Sequence, residues 1–133
     1  IVCCDLETGT QLWSKSFNGD FLFSNFIVND GFLYTNCENG YRYKLDANTG
    51  FVKWQELNTG TCTPIFMMNG VLYYIGGGDG KLYAVDAASG SIIWKESAPM
   101  DKNQGFSSVT PTGANGRIYC CDHFYAYCFE AAR

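Results

Sequence analysis

A single histidine, His123, and the lack of any Gly-x-Ser-x-Gly elbow leave little material for a nucleophile, base and acid in one triad. Nine basic residues against thirteen acidic ones give a net charge of −4 with no basic cluster. The long-range field that gathers phosphates is therefore missing, and nucleic acid is not an expected partner. Apolar runs are short: residues 64–68 and 71–75 fall far below the length of a membrane-spanning helix, and no charged-then-apolar leader opens the chain. The first residue is not Met, and Ile1-Val2-Cys3-Cys4-Asp5 already lies inside a strand pattern, so the missing leader says little about compartment. Three prolines are too few to punctuate 133 residues; fifteen glycines do it instead, between runs holding ten Phe, nine Tyr and three Trp. That is the composition of short aromatic strands joined by tight turns, an all-β fold.

Seven cysteines (Cys3, Cys4, Cys37, Cys62, Cys120, Cys121, Cys128) are an odd number and never adopt a C-x-x-C spacing. They read as small apolar strand residues. The adjacent pairs Cys3-Cys4 and Cys120-Cys121 point to opposite faces of an extended strand, so a bridge within either pair would bend that strand out of its sheet.

An eleven-residue pattern occurs three times, at 3–13, 44–54 and 84–94. In each copy an Asp (Asp5, Asp46, Asp86) precedes a Trp (Trp13, Trp54, Trp94) by eight residues, with Thr or Ser before a Gly (Gly9, Gly50, Gly90) between them. The tryptophans stand 41 and 40 residues apart. Between copies, Asn29-Asp30-Gly31, Asn69-Gly70 and Asn115-Gly116 each announce a hairpin, and Glu38-Asn39-Gly40 and Gly78-Asp79-Gly80 announce the next. Each period then holds four strands, near 22–28, 32–36, 41–46 and 51–56, and near 61–68, 71–76, 81–86 and 92–96. A third set lies near 106–112, 117–121 and 125–130, and 1–5 with 10–16 supply two strands of a preceding unit.

Four antiparallel strands every 40 residues or so is the period of a β-propeller blade, which needs a neighbour on each face. The expected organisation of 1–133 is one propeller segment: a partial blade at 1–16, blades at 17–56 and 57–96, and a blade lacking its last strand at 97–133. In the repeated motif, Asp and Ser/Thr oxygens can bond turn amides while Gly takes the left-handed angle. The Trp that follows is placed to cover the adjacent blade.

The motif resembles the tryptophan-docking motif of the quinoprotein-like (PQQ-like) repeat family, Ala-x-Asp-x-x-Thr-Gly-x-x-x-Trp; only the copy at 84–94 has the leading Ala, where Cys3 and Lys44 stand in the others. Members of that family usually close with seven or eight blades, so the resemblance implies an incomplete ring of about three. Missing blades, or self-association through uncovered blade faces, are then expected to complete it. The resemblance also implies a periplasmic or other extracytoplasmic setting. One branch of the family is the PQQ-dependent alcohol and sugar dehydrogenases, in which calcium holds the quinone and a disulfide between adjacent cysteines covers it. No acidic constellation of that kind carries over to this sequence, and Cys120-Cys121 is the nearest match.

Other candidates are weaker. Cys120-Cys121-Asp122-His123 offers metal-ligand types packed too closely for one tetrahedral site. The glycine-rich stretch at 75–80 lacks the Lys-Ser/Thr of a phosphate loop and leads into a strand rather than a helix. The link at 97–105 is longer than its counterpart at 57–60, which makes Pro99, Met100, Asp101, Lys102, Asn103 and Gln104 the candidate contact loop. Strands starting at Leu22, Thr61 and Phe106 are expected to line the axis, with Thr61, Thr63, Ser107 and Ser108 as polar liners. Together these features point to a non-catalytic, cofactor-free module that binds protein through a propeller face or its end blades and serves as an assembly platform; a quinone dehydrogenase segment, which the family resemblance also implies, is the alternative.

Overall fold

Asp30, Asn69 and Asn115 take φ angles of 49°, 52° and 52°, and the glycines after them take 76°, 75° and 73°. Two successive positive angles are what a type I′ hairpin needs, and its twist matches that of the strands it joins. The computed structural model, which describes residues 1–59, 63–100 and 103–132, builds four antiparallel sheets on such turns. Strands β1 (Val2–Cys4) and β2 (Gln11–Ser14) form the first sheet. The second holds β3 (Ile27–Asn29), β4 (Phe32–Cys37), β5 (Tyr41–Asp46) and β6 (Val52–Leu57) in chain order. The third repeats it with β7 (Phe66–Met68), β8 (Val71–Ile75), β9 (Leu82–Asp86) and β10 (Ile92–Glu96), and the fourth has β11 (Thr112–Ala114), β12 (Arg117–Cys121) and β13 (Ala126–Glu130). No helix occurs among the described residues.

The meanders stack as blades of an unclosed propeller, and the second and third bury both faces while the first and fourth leave one face exposed. Alternate residues of β8 and β9 point opposite ways. Leu72, Tyr74, Tyr83 and Val85 join Tyr34 of the second sheet, while Tyr73, Ile75, Leu82 and Ala84 join Ile118 and Cys120 of the fourth and Phe106 of the link before it. A third cluster, Leu33, Cys37, Tyr43 and Leu45, takes in Ile1, Phe17 and Phe21.

The meander divides the turns between two rims. On one, the hairpin after each first strand bonds the turn that follows each third strand: Ala47 N–H to Gly31 O, Ala87 N–H to Gly70 O and Ala131 N–H to Gly116 O, at 2.8–2.9 Å. Residues 130–132 therefore occupy the place of 86–88. On the opposite rim the links between blades meet the second hairpins, through Glu38 N–H to Asp20 O at 2.9 Å, Gly78 N–H to Thr59 O at 2.6 Å and Phe106 N–H to Gly80 O at 2.7 Å.

The innermost strands are shorter than expected and start later. Residues 22–26 form no ladder: Ser24 N–H closes a turn on Phe21 O. In the next unit the backbone before β7 is held by side chains of the preceding blade. Asn36 Nδ2 donates to Thr63 O at 2.9 Å, while Asn25 donates from Nδ2 to Ile65 O at 2.9 Å and accepts from Ile65 N–H at 2.7 Å. Side-chain amides thus replace ladder bonds. The expected axial liners shift accordingly: Thr63 is buried with its hydroxyl donating to Ile75 O at 2.5 Å, and Phe106 packs edge-on against Tyr127 and Phe129. Leu22 sits at a turn tip, Ser107 is half-buried and Ser108 exposed, and Thr61 lies outside the described residues.

Candidate functional site: loop rim and interblade seams

Each motif Asp caps its own turn. Asp5 Oδ1 accepts from Thr8 N–H and Thr8 Oγ1, both at 2.7 Å; Asp46 Oδ1 accepts from Thr49 N–H and Oγ1 at 3.1 and 3.0 Å; Asp86 Oδ1 accepts from Ser89 N–H and Oγ at 2.7 Å. The Thr8, Thr49 and Ser89 hydroxyls, helped by backbone N–H groups, hold the three carboxyls below their ordinary value. Gly9, Gly50 and Gly90 supply φ angles of 69°, 71° and 80°.

The capped turn receives the tryptophan of the blade before it. Trp13 Nε1–H donates to Ala47 O at 3.0 Å and Trp54 Nε1–H to Ala87 O at 3.2 Å. A Cβ on Gly50 would stand 2.6 Å from Trp13 Cε3, and one on Gly90 would stand 3.0 Å from Trp54 Cδ2, so glycine is what lets the indole lie flat on the turn. Trp94 stands 6.1 Å from Tyr73 as Trp54 stands 6.2 Å from Tyr34, and like Ala131 and Ala132 it packs against the core cluster between the third and fourth sheets.

A second tie crosses the seam between the second and third sheets, and the motif gives no sign of it. Arg42, 4% exposed, reaches across from β5 to donate through Nη2 to Gly90 O at 2.7 Å, and its Nη1 bonds Leu57 O. Tyr74 lies beside it and stacks on Tyr83 at 5.1 Å with the rings 3° from parallel; Tyr83 in turn donates its hydroxyl to Asp79 Oδ2 at 2.6 Å. Burial drives the Tyr74 hydroxyl well above its ordinary value, so it stays protonated. The signal in the sequence was the repeat itself: Arg42 occupies the position that Leu82 fills in the next blade.

The two rims differ in chemistry. The rim of motif turns shows Glu7-Thr8, Asn48-Thr49 and Ala88-Ser89 with the Asn and Asp of the first hairpins; the large apolar exceptions are Phe51, 65% exposed where the second motif turn closes, and Leu6, at the place Ala47 and Ala87 fill beneath an indole. The opposite rim carries large apolar tips: Leu22 and Phe23 at 72% and 65% exposed, Met100 at 66%, and Phe124 and Tyr125 at 78% and 51%. The Leu22-Phe23 turn is held from below by Phe21, whose ring meets Phe17 edge-on at 5.4 Å. In the candidate contact loop, Pro99, Met100, Asn103 and Gln104 are exposed, Ala98 is buried as its anchor, and Asp101 and Lys102 lie outside the described residues. The sequence marks this loop as an insertion, but it gives no sign of Leu22, Phe23, Phe124 and Tyr125, which fall in strand and hairpin patterns.

Cys120 and Cys121 occupy consecutive positions of β12, opposite Tyr127 and Ala126. Cys120 faces the core and Cys121 the other side, and both are free thiols. That arrangement does not fit a disulfide capping a quinone. Burial, and then the neighbouring Cys121 and Asp122, push the Cys120 thiol up to about 12. Asp122 is committed to its hairpin, accepting from Phe124 N–H and Tyr125 N–H at 2.7 Å and from the Tyr127 hydroxyl. Asp79 Oδ1 and Asn39 Oδ1 do the same for Lys81 N–H and Tyr41 N–H in the earlier blades. Among the described residues, no three His, Cys, Asp or Glu side chains converge as metal ligands.

A family model described as outer membrane protein assembly factor BamB matches residues 1–133. Outer membrane protein assembly factor BamB of Moranella endobia (strain PCIT) is 31% identical over 77 residues, which are 58% of this chain and 19% of that protein. The crystal structure of BamB from Moraxella catarrhalis aligns with a TM-score of 0.76 at 19% identity, over 97% of this chain and 39% of that one. Quinohemoprotein alcohol dehydrogenase ADHIIG from Pseudomonas putida HK5 aligns with a TM-score of 0.64 at 20% identity, over 82% of this chain and 19% of that one. At such identities the structural likenesses show the propeller fold alone. The chain spans 19% of the curated relative's length and 39% of the Moraxella protein's.

Proposed function

Since the chain belongs to the outer membrane protein assembly factor BamB family, we propose that it is a non-catalytic propeller module that binds protein through the rim bearing Leu22, Phe23, Met100, Phe124 and Tyr125. The contrast between the rims carries this reading. Leu and Phe at hairpin tips add nothing to the core beneath them, and on a monomer they cost solubility; their use is to enter a partner's apolar pockets. The motif rim, with the same backbone, is polar at its tips apart from Leu6 and Phe51, so the denser apolar tips of the opposite rim are not a by-product of propeller geometry. The relatives' name, outer membrane protein assembly factor, supports a protein partner engaged in that assembly and an extracytoplasmic setting. The proposed module uses neither quinone nor calcium.

Photocrosslinking residues placed at Phe23 and Phe124 on the apolar rim, and at Thr8 and Asn48 on the polar rim, test the proposal in cells. Adducts with one defined protein from Phe23 and Phe124, and none from Thr8 or Asn48, are expected. Equal adducts from both rims would contradict it, as would dye-linked alcohol or sugar oxidation on adding quinone and calcium.

A further inference from the structure

Three buried side-chain polar atoms among the described residues have no protein partner: Asn36 Oδ1, Arg42 Nε and Asn58 Nδ2. All three belong to one seam. Asn36 and Arg42 stand directly opposite each other on β4 and β5, so their side chains share the face turned toward the third sheet. Asn58 follows Leu57, whose carbonyl takes Arg42 Nη1. Asn36 is wholly buried and Arg42 nearly so. Leaving such atoms unbonded is costly, most of all for a charged group. Native interiors rarely tolerate that.

The chemistry of the three orphans identifies their ligand. Asn36 cannot turn its amide over, because Nδ2 is needed as donor to Thr63 O; Oδ1 must stay an acceptor. Arg42 Nε and Asn58 Nδ2 can only donate. An anion would satisfy the donors and oppose Asn36 Oδ1, and a cation would do the reverse. A molecule that accepts and donates at one centre satisfies both, and a buried water making about three bonds does so. We propose that Asn36 and Arg42, with Asn58 beside them, form a built site for one buried water that joins the second sheet to the third.

The next seam supplies the control. The equivalent cross-strand pair there is Ile75 opposite Leu82, both wholly buried and apolar, with no polar side-chain atom to hydrate. The two joints of one arc therefore close by different means at the same position, one hydrated and one apolar.

A high-resolution crystal structure of the protein, with and without a bromide soak, tests the site. One oxygen peak within about 3.2 Å of both Arg42 Nε and Asn36 Oδ1, unchanged by bromide, is expected. A direct Nε–Oδ1 bond without a peak would overturn the proposal, and so would an anomalous bromide signal in the peak's place. Thermal unfolding of Asn36→Ile, Arg42→Leu and the double variant gives a second readout. Each single variant should lose roughly 5 °C or more, and the double variant, which also gives up the bonds to Gly90 O, Leu57 O and Thr63 O, should lose clearly less than the sum of the two. Additive losses in the double variant would count against a shared water.

Discussion

Trp13 donates its indole N–H to the carbonyl of Ala47, 34 residues further on, while its six-membered ring lies over Gly50. Because Trp54 does the same to Ala87 and Gly90, each blade is fastened to the next by a donor from one turn's outer strand and a bare backbone on the other. Glycine at the receiving turn serves both a positive φ and a close approach, and the two needs can be separated. Gly70 has φ +75° with open space around it, whereas Gly50 has φ +71° beneath the indole. Gly70→Ala should cost about 1–2 kcal/mol in backbone strain alone. Gly50→Ala should add about 1–3 kcal/mol for displacing Trp13. Denaturant unfolding of the two variants checks the difference, and equal losses would mean that the indole yields freely.

The cysteines should divide by environment. With its pKa pushed up to about 12, Cys120 holds almost no thiolate at pH 8. Cys4 and Cys128 are exposed. Timed alkylation under native conditions, read by mass spectrometry, should label Cys4 and Cys128 long before Cys120. Early labelling of Cys120, or a bridge between Cys120 and Cys121, would mean that β12 is not paired as described.

Acid should loosen the motif turns. Asp46 and Asp86 are held below the ordinary carboxyl value of 3.8 by the hydroxyls of Thr49 and Ser89. A depressed folded-state pKa contributes stability that is complete above the unfolded value and is lost as pH falls through the folded one. The thermal midpoint should therefore hold from neutrality to just above pH 4 and decline below it. Asp86→Asn, whose amide oxygen can keep accepting from Ser89, should show a shallower decline. An Asp86 carboxyl titrating above 3.8 by NMR would reverse the sign.

Much of the fold was legible because it repeats. Asp, Gly and Trp at fixed spacing locate the motif turns, and Asn-Gly locates the hairpins, through backbone angles that few other residues adopt. The innermost strands were misjudged because Asn25 and Asn36 satisfy the next blade's backbone from 27 to 40 residues away. No local pattern encodes a bond of that kind. At the candidate site, the longer link at 97–105 is visible as an insertion, but Leu22, Phe23 and Tyr125 read as strand residues and Phe124 as part of a hairpin turn. Only the turn on Phe21 O and the Asp122 cap, which lift them to the rim, reveal them as surface. Arg42 was hidden for the opposite reason, since a charged residue in a half-buried strand is ordinarily taken to face water.

In the proposed function the apolar rim, and not the polar one, binds the partner. The direct measurement is the affinity of that crosslinked partner for two variants, one carrying Leu22→Asp, Phe23→Asp and Phe124→Asp, the other Thr8→Arg and Asn48→Arg, each with its thermal midpoint. The first should lose about 100-fold or more in affinity, as expected when buried anchors worth about 2 kcal/mol or more are removed, with its midpoint nearly unchanged. The second should bind like the parent. Undiminished binding by the first variant, or loss confined to the second, would contradict the account.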